Sequence, residues 1–172
     1  MDTLRGLIRD VPGFPEPDVV FKDITPLLAD HDALEQALSA LTTPFADAGV
    51  THVVGIEARG FILAAPVASR LSAGSVPVRK PGKLPARTVT ETYELEYGTD
   101  AVEIHVDAVG PGDRVLVVDD VIATGGTASA TVNLVRGLGA VVVAVVVLVE
   151  LAFLGGVGRV DAPVTSVVVY DD

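Results

Sequence analysis

Val115-Leu-Val-Val-Asp-Asp-Val-Ile-Ala-Thr-Gly-Gly-Thr127 is the stretch from which the fold can be read. Four consecutive apolar residues, Val115 to Val118, mark a strand buried on both faces of a parallel sheet, because a strand with one wet face alternates instead. The run ends in two adjacent carboxylates, and a Thr-Gly-Gly-Thr turn opens a helix on which Thr131, Leu134, Val135 and Leu138 recur as one face. Gly139 ends that helix, and Ala140–Val149 follows with seven valines, side chains that suit a packed, pleated surface. Strand, helix and strand joined by short turns form a βαβ unit. The fold class is therefore α/β, a mostly parallel twisted sheet flanked by helices.

The same residues propose a chemistry. Open α/β sheets bind ligands beyond the carboxyl ends of their strands, where this loop lies. Gly125 and Gly126 let backbone amides of the Ala123–Thr127 turn converge on an oxyanion, Thr124 and Thr127 add hydroxyl donors, and the new helix aims its positive end there. Asp119 and Asp120 would repel a bare phosphate, but they can accept from vicinal sugar hydroxyls or hold water around a magnesium ion. A sugar with a 5′-phosphate and free hydroxyls satisfies both halves. Taken singly, Asp-Asp is an ordinary solvated strand end and Gly-Gly a plain turn; thirteen contiguous residues in this order form a site.

The chain around this loop has 172 residues, enough for one domain with a substantial core, and neither repeats nor linkers divide it. A hydrophobic fraction of 49% excludes disorder. The absence of cysteine excludes a disulfide framework and thiolate metal sites and fits a reducing, cytoplasmic setting. A formal charge of -11 argues against nucleic-acid binding, which neutralises phosphates with Lys and Arg. No export signal is visible, and the Ala140–Val149 run is too short to span a bilayer as a helix, so no membrane partner is expected. Residues 32–48 read as a helix that Pro44 kinks or ends early, Val53–Ile56 and Val76–Arg79 as strands, and Phe61–Leu71 as a helix. The polar stretch from Gly82 to Gly98 reads as a hairpin or a mobile loop. The glycines of Gly155-Gly-Val-Gly158 neither follow a strand nor match a dinucleotide fingerprint.

With its hydrophobic run, Asp-Asp pair and Thr-Gly-Gly-Thr loop, the chain resembles the type I phosphoribosyltransferases. Three further segments are similar to the adenine-specific members of that family. Phe14-Pro-Glu-Pro-Asp-Val-Val-Phe-Lys-Asp-Ile-Thr-Pro26 matches a hood, placed at about residues 1–30, in which Phe21 would stack on a purine. Backbone atoms around Val20 and Lys22 would meet the purine's polar edge, accepting from a 6-amino group and donating to N1; Lys22 stands where the family usually has arginine. Val54-Gly-Ile-Glu-Ala-Arg-Gly-Phe61 matches the pyrophosphate loop, which implies a non-proline cis peptide near Glu57–Ala58 and a forked, charge-assisted hydrogen bond from Arg59. From Val78 to Gly98, Arg79, Lys80, Lys83 and Arg87 set four of the twelve basic residues within nine positions. The resemblance assigns Arg79, Lys80 and Lys83 to pyrophosphate and makes the remainder, about 82–98, a flexible catalytic loop over the site. In that loop Glu96 would serve in proton transfer at the base, beside Tyr97.

What the resemblance implies is transfer of a phosphoribosyl group from phosphoribosyl pyrophosphate to adenine, giving AMP and pyrophosphate. Magnesium would arrive with the substrate rather than in a protein-built site, and the protein would be a homodimer. The catalytic set would be Glu96, Arg59, Asp119 and Asp120. Two rival readings share these motifs: a transferase for another purine base, and a non-catalytic sensor of phosphoribosyl pyrophosphate. The Phe14–Pro26 and Tyr93–Gly98 segments favour adenine, and a single domain with Arg79, Lys80, Lys83 and Glu96 all present favours the enzyme.

Overall fold

The computed structural model describes residues 2–94 and 98–172. A short helix α1 (Asp2–Gly6) leads to β1 (Arg9–Pro12) and β2 (Val20–Asp23), which pair antiparallel with Val11 opposite Phe21. Helices α2 (Thr25–Ala29) and α3 (His31–Thr42) follow. Then come β3 (His52–Ile56), α4 (Gly60–Arg70) and β4 (Gly74–Val78). An antiparallel arm, β5 (Thr88–Glu94) against β6 (Thr99–His105), precedes β7 (Arg114–Ile122), α5 (Gly126–Gly137), β8 (Val141–Leu151) and β9 (Val164–Tyr170).

The central sheet has the order β4-β3-β7-β8-β9, and all four pairings are parallel. Its middle strand explains its own composition. Leu116 and Val118 enter the core shared with α3 and α4, among Leu38, Leu41, Leu63 and Val67. Val115 and Val117 enter the opposite core with Val132 and Val135 of α5 and Val102 and Ile104 of β6. All four residues are fully buried. Each such side chain contributes about 1.5–3 kcal/mol relative to exposure, so neither face of β7 can turn outward. From β3 the chain crosses to β4 on one side, while β7 flanks β3 on the other. The carboxyl ends of β3 and β7 thus border the crevice where strand order reverses.

Two expectations sharpen. The helix read over residues 32–48 is α3 only to Thr42, followed by a 3-10 turn over Thr43–Phe45, because Pro44 has no amide proton to continue the ladder. At its other end the Asp30 carboxylate accepts from the Ala33 amide at 2.9 Å, a side-chain cap. The stretch 82–98, read as a hairpin or a mobile loop, takes the hairpin form over residues 88–94: β5 pairs with β6 from Thr88 opposite His105 to Glu94 opposite Thr99. β-Branched and aromatic residues at Val89, Thr90, Thr92 and Tyr93 favour extension, and β6 is anchored by the buried Val102 and Ile104.

The β1–β2 hairpin is the expected hood, and it is fastened to the far end of the chain. Lys22 donates to Asp10 at 2.7 Å, and its ammonium lies 4.1 Å from the centroid of the Tyr170 ring. The Arg5 guanidinium meets the same ring at 4.5 Å. Among the described residues, no helix is long and apolar enough to cross a membrane.

The seat of α4 on β3 is close. A Cβ added at Gly55 would stand 2.5 Å from the Ala64 Cβ and 3.4 Å from the Gly60 carbonyl oxygen. Gly55→Ala must displace the helix, and the expected cost is about 1–3 kcal/mol. Urea denaturation should show a lower midpoint with an unchanged slope.

Candidate active site

The hood and the carboxyl edge of the sheet enclose a cavity of about 550 Å³. Val20, Phe21 and Lys22 reach it from β2, Glu57, Ala58 and Arg59 from the end of β3, and Asp119 and Asp120 from β7. Lys80 and the loop residues Ala123 and Thr127 also line it. A smaller cavity of about 110 Å³, lined by the whole Ala123–Thr127 turn, shares Asp119, Val121, Ala123 and Thr127 with the first. Sequence-distant residues expected to act together therefore do meet, with Thr124, Gly125 and Gly126 in the smaller space.

Backbone contact shapes that turn. Gly125 precedes α5 with φ of 80°, the left-handed region that favours glycine, and a Cβ there would lie 2.2 Å from the Gly156 carbonyl oxygen. A Cβ on Gly156 would in turn meet the Ala123 carbonyl oxygen at 2.1 Å and the Gly125 amide nitrogen at 2.7 Å. The two glycines interlock main chain against main chain, holding the amides at the start of α5 in place. As expected, the Gly155–Gly158 segment does not follow a strand directly: β8 ends at Leu151 and a 3-10 turn, Ala152–Leu154, intervenes. Its role depends on a through-space approach that a search for a linear fingerprint cannot reveal.

Asp119 and Asp120 differ in environment. Asp120 is buried and receives the Nε hydrogen bond of Arg59, the residue just before α4. The Asp119 carboxylate accepts the Asp120 amide at 2.9 Å. Burial, and then the neighbouring Asp120 charge, push its pKa well above the ordinary carboxylate value. The start of α4 presses on it: a Cβ on Gly60 would lie 2.8 Å from Asp119 Oδ1. Arg59 also places its guanidinium 4.5 Å from the centroid of Phe21, which packs edge-on against Phe14 at 5.2 Å. One arginine thus links the acids of β7 to the aromatic of the hood.

Glu57 organises the cation segment. It accepts from Arg79 Nε at 3.2 Å and from the Lys80 amide at 2.9 Å, and it pairs with Lys83. Burial opposes its charge, but these donors outweigh burial and leave its pKa below the usual value. The Glu57–Ala58 peptide bond is cis, as the resemblance implied. Lys80 faces the large cavity and pairs with Asp100, whereas Arg79 and Lys83 are not among the described residues that line it. Lys22 lines the cavity but commits its ammonium to Asp10 and Tyr170. The expectations for Glu96 and Tyr97 fall outside the described residues.

Sequence reasoning assigned no role to Glu57, Tyr93, Asp100, Leu151, Leu154 or Gly156. Leu151 and Leu154 add apolar wall to the large cavity. Glu57 and Tyr93 lie in segments that family resemblance already marked as part of the site.

A strand-end acid pair, a glycine turn opening a helix and a crevice at the point of strand reversal, lined by Lys22, Arg59 and Lys80 as well as by acids, fit the class of sugar-phosphate sites. The family model described as phosphoribosyl transferase domain matches residues 24–169. An adenine phosphoribosyltransferase of Methylobacterium sp. (strain 4-46) is 53% identical over 99% of this chain and 96% of its own. The crystal structure of adenine phosphoribosyltransferase from Rhodothermus marinus superposes with a TM-score of 0.96 at 54% identity, covering 98% of this chain and 97% of that one. The Saccharomyces cerevisiae enzyme, complexed with an imino-altritol bisphosphate and adenine, has a TM-score of 0.91 at 36% identity, with 96% and 97% covered. The chain belongs to the phosphoribosyltransferase family, on its adenine phosphoribosyltransferase branch.

The raised pKa of Asp119 carries a sign. Between the unfolded carboxylate pKa and the higher folded one, the native state binds more protons, so the stability contributed by this group falls as pH rises. Asp119→Asn is expected to raise the thermal midpoint at pH 7 while losing catalytic efficiency, and the gain should disappear at pH values below the unfolded carboxylate pKa. Melting curves at both pH values, beside an activity assay, check it. Gly156→Ala should force the cradle open and weaken phosphate binding by about tenfold or more, read as a raised KM for the phosphorylated substrate.

Proposed function

We propose that this chain transfers the 5-phosphoribosyl group of phosphoribosyl pyrophosphate to adenine, releasing AMP and pyrophosphate in purine salvage. The observation that carries the reading is that the hood, the acid pair and the glycine turn line adjoining cavities. The relatives' names specify the base.

In this reading adenine lies against Phe21, with backbone atoms of Val20 and Lys22 at its polar edge. A site that pairs a substrate's amino group rejects an analogue lacking it, because buried polar groups would otherwise be left unpaired. The Ala123–Thr127 turn takes the 5′-phosphate on its amides and on the hydroxyls of Thr124 and Thr127. Asp119 and Asp120 accept from the ribose hydroxyls and hold the sugar in its reacting geometry. Lys80 and Arg59 face the diphosphate from the cavity wall, with Arg79 and Lys83 behind Glu57. Positive charge there stabilises the anion that grows as the bond at C1 breaks. Glu96 manages the proton on the base, and the segment containing Tyr97 excludes water from an oxocarbenium-like centre.

The donor set suits magnesium brought in on substrate oxygens. Among the described residues no three His, Cys, Asp or Glu side chains gather as a cage, while Asp119 and Asp120 offer the one or two carboxylates that magnesium uses beside phosphates. When bound, the ion would neutralise diphosphate charge during bond breaking. The proposal includes a homodimer and a cytoplasmic location, the latter in keeping with a cysteine-free chain.

Purified protein with magnesium and phosphoribosyl pyrophosphate, given adenine, hypoxanthine, guanine or xanthine separately, is expected to form AMP from adenine and no product from the others. No product from any base would reject the reading. Glu96→Gln should lower turnover at saturating substrates by about 10²-fold, the lower end of general acid–base contributions. Unchanged turnover would remove Glu96 from proton transfer.

A further inference from the structure

Tyr93, near the end of β5, touches the phosphate turn and the cation segment at once. Its hydroxyl accepts from Thr127 Oγ1 at 3.0 Å and from Lys80 Nζ at 2.9 Å, and donates to Asp100 Oδ2 at 3.0 Å. A phenol has one proton and two lone pairs, so these three bonds use its full capacity. The ring lies against the turn itself, where a Cβ on Gly126 would stand 2.8 Å from Tyr93 Cδ2. Lys80 is held by Tyr93 and by Asp100 together. Burial opposes the Lys80 charge, yet the bonds from Asp100 and Tyr93 outweigh it and keep its pKa above the ordinary lysine value. Asp100 is correspondingly lowered, burial again being outweighed, here by Lys80 and the Ala101 amide.

We propose that Tyr93 is a positioning residue that couples the two anion subsites, so that a phosphate in the Ala123–Thr127 turn loosens the hold on Lys80 and tightens binding of the diphosphate. The proposal rests on the reading of these cavities as a phosphoribosyl pyrophosphate site. The physical link is the single proton of Thr127. That proton can go to the phenol oxygen or to a phosphoryl oxygen, not to both. While it goes to Tyr93, the phenol is fixed where it and Asp100 hold Lys80 between them. A phosphate that takes the proton frees the phenol on its cradle side. The grip of the Tyr93–Asp100 pair on Lys80 weakens, and a diphosphate recruits the ammonium against less competition. By linkage, diphosphate must tighten the sugar phosphate by the same factor.

The test measures the dissociation constant of magnesium pyrophosphate by calorimetry, with and without saturating ribose 5-phosphate, in the wild type and in Tyr93→Phe. The variant keeps the ring against Gly126 and removes only the hydroxyl. The expected result is tightening of about 5–10-fold in the wild type, at the low end of measured couplings, and of less than about twofold in Tyr93→Phe. No tightening in the wild type, or equal tightening in the variant, overturns the proposal. Should Tyr93→Phe fail to fold, Asp100→Asn probes the same link. With Lys80 less tightly held, pyrophosphate alone should bind nearly as well as it does to wild type with ribose 5-phosphate present, and unchanged affinity overturns the proposal. The wild-type assay separates the two ideas. A protein that forms AMP from adenine but shows no coupling loses this inference alone, whereas one that binds neither anion and forms no AMP loses both.

Discussion

The approach of α4 to the end of β7 is the constraint on which the site depends. No Cβ stands between Gly60 and Asp119, so the helix can begin directly over the carboxyl end of the central strand. That seat places Arg59 within reach of Asp120 and over the ring of Phe21. It also pushes Asp119 into surroundings that disfavour its charge. The same closeness recurs one residue short of the end of β3, where Gly55 admits Ala64. Two side-chain-free positions thus let one helix bind the acid pair, the hood and the sheet into one wall.

Electrostatics at this wall are local. The chain carries an excess of acid, and each cation singled out near the site has a carboxylate partner: Lys22 with Asp10, Arg59 with Asp120, Arg79 and Lys83 with Glu57, Lys80 with Asp100. Bulk charge is screened within about 10 Å at ordinary salt, so it says little about contact-range affinity. A polyanion entering the cavity would take over cations that are already ordered by carboxylates, exchanging one set of partners for another. Preorganisation of this kind reduces the side-chain entropy lost on binding.

The βαβ core was legible in the amino-acid order because its signals are contiguous. Val115 to Val118 announce burial on both faces, and Asp119 through Thr127 carry their chemistry within one turn. The Val54–Phe61 segment stands out only through family resemblance, since a lone arginine before a helix is usually a surface charge. Other parts depend on residues far apart. Glu57 finds its partners 22 to 26 positions later, and Tyr93 reaches Thr127 across 34. The function of Gly156 lies entirely in how close its backbone comes to Ala123 and Gly125, which no local pattern encodes. The polar stretch before Gly98 was ambiguous because its alternation suits a strand as well as a solvated loop. Its partner β6, buried through Val102 and Ile104, decides the matter.

The clasp of Arg5 and Lys22 on Tyr170 joins residues near the start of the chain to the last strand of the sheet. The cavity wall that Val20, Phe21 and Lys22 supply therefore depends on the edge strand β9 as well as on its own hairpin. A change that displaced the Tyr170 ring would slacken this wall without touching the acid pair or the glycine turn.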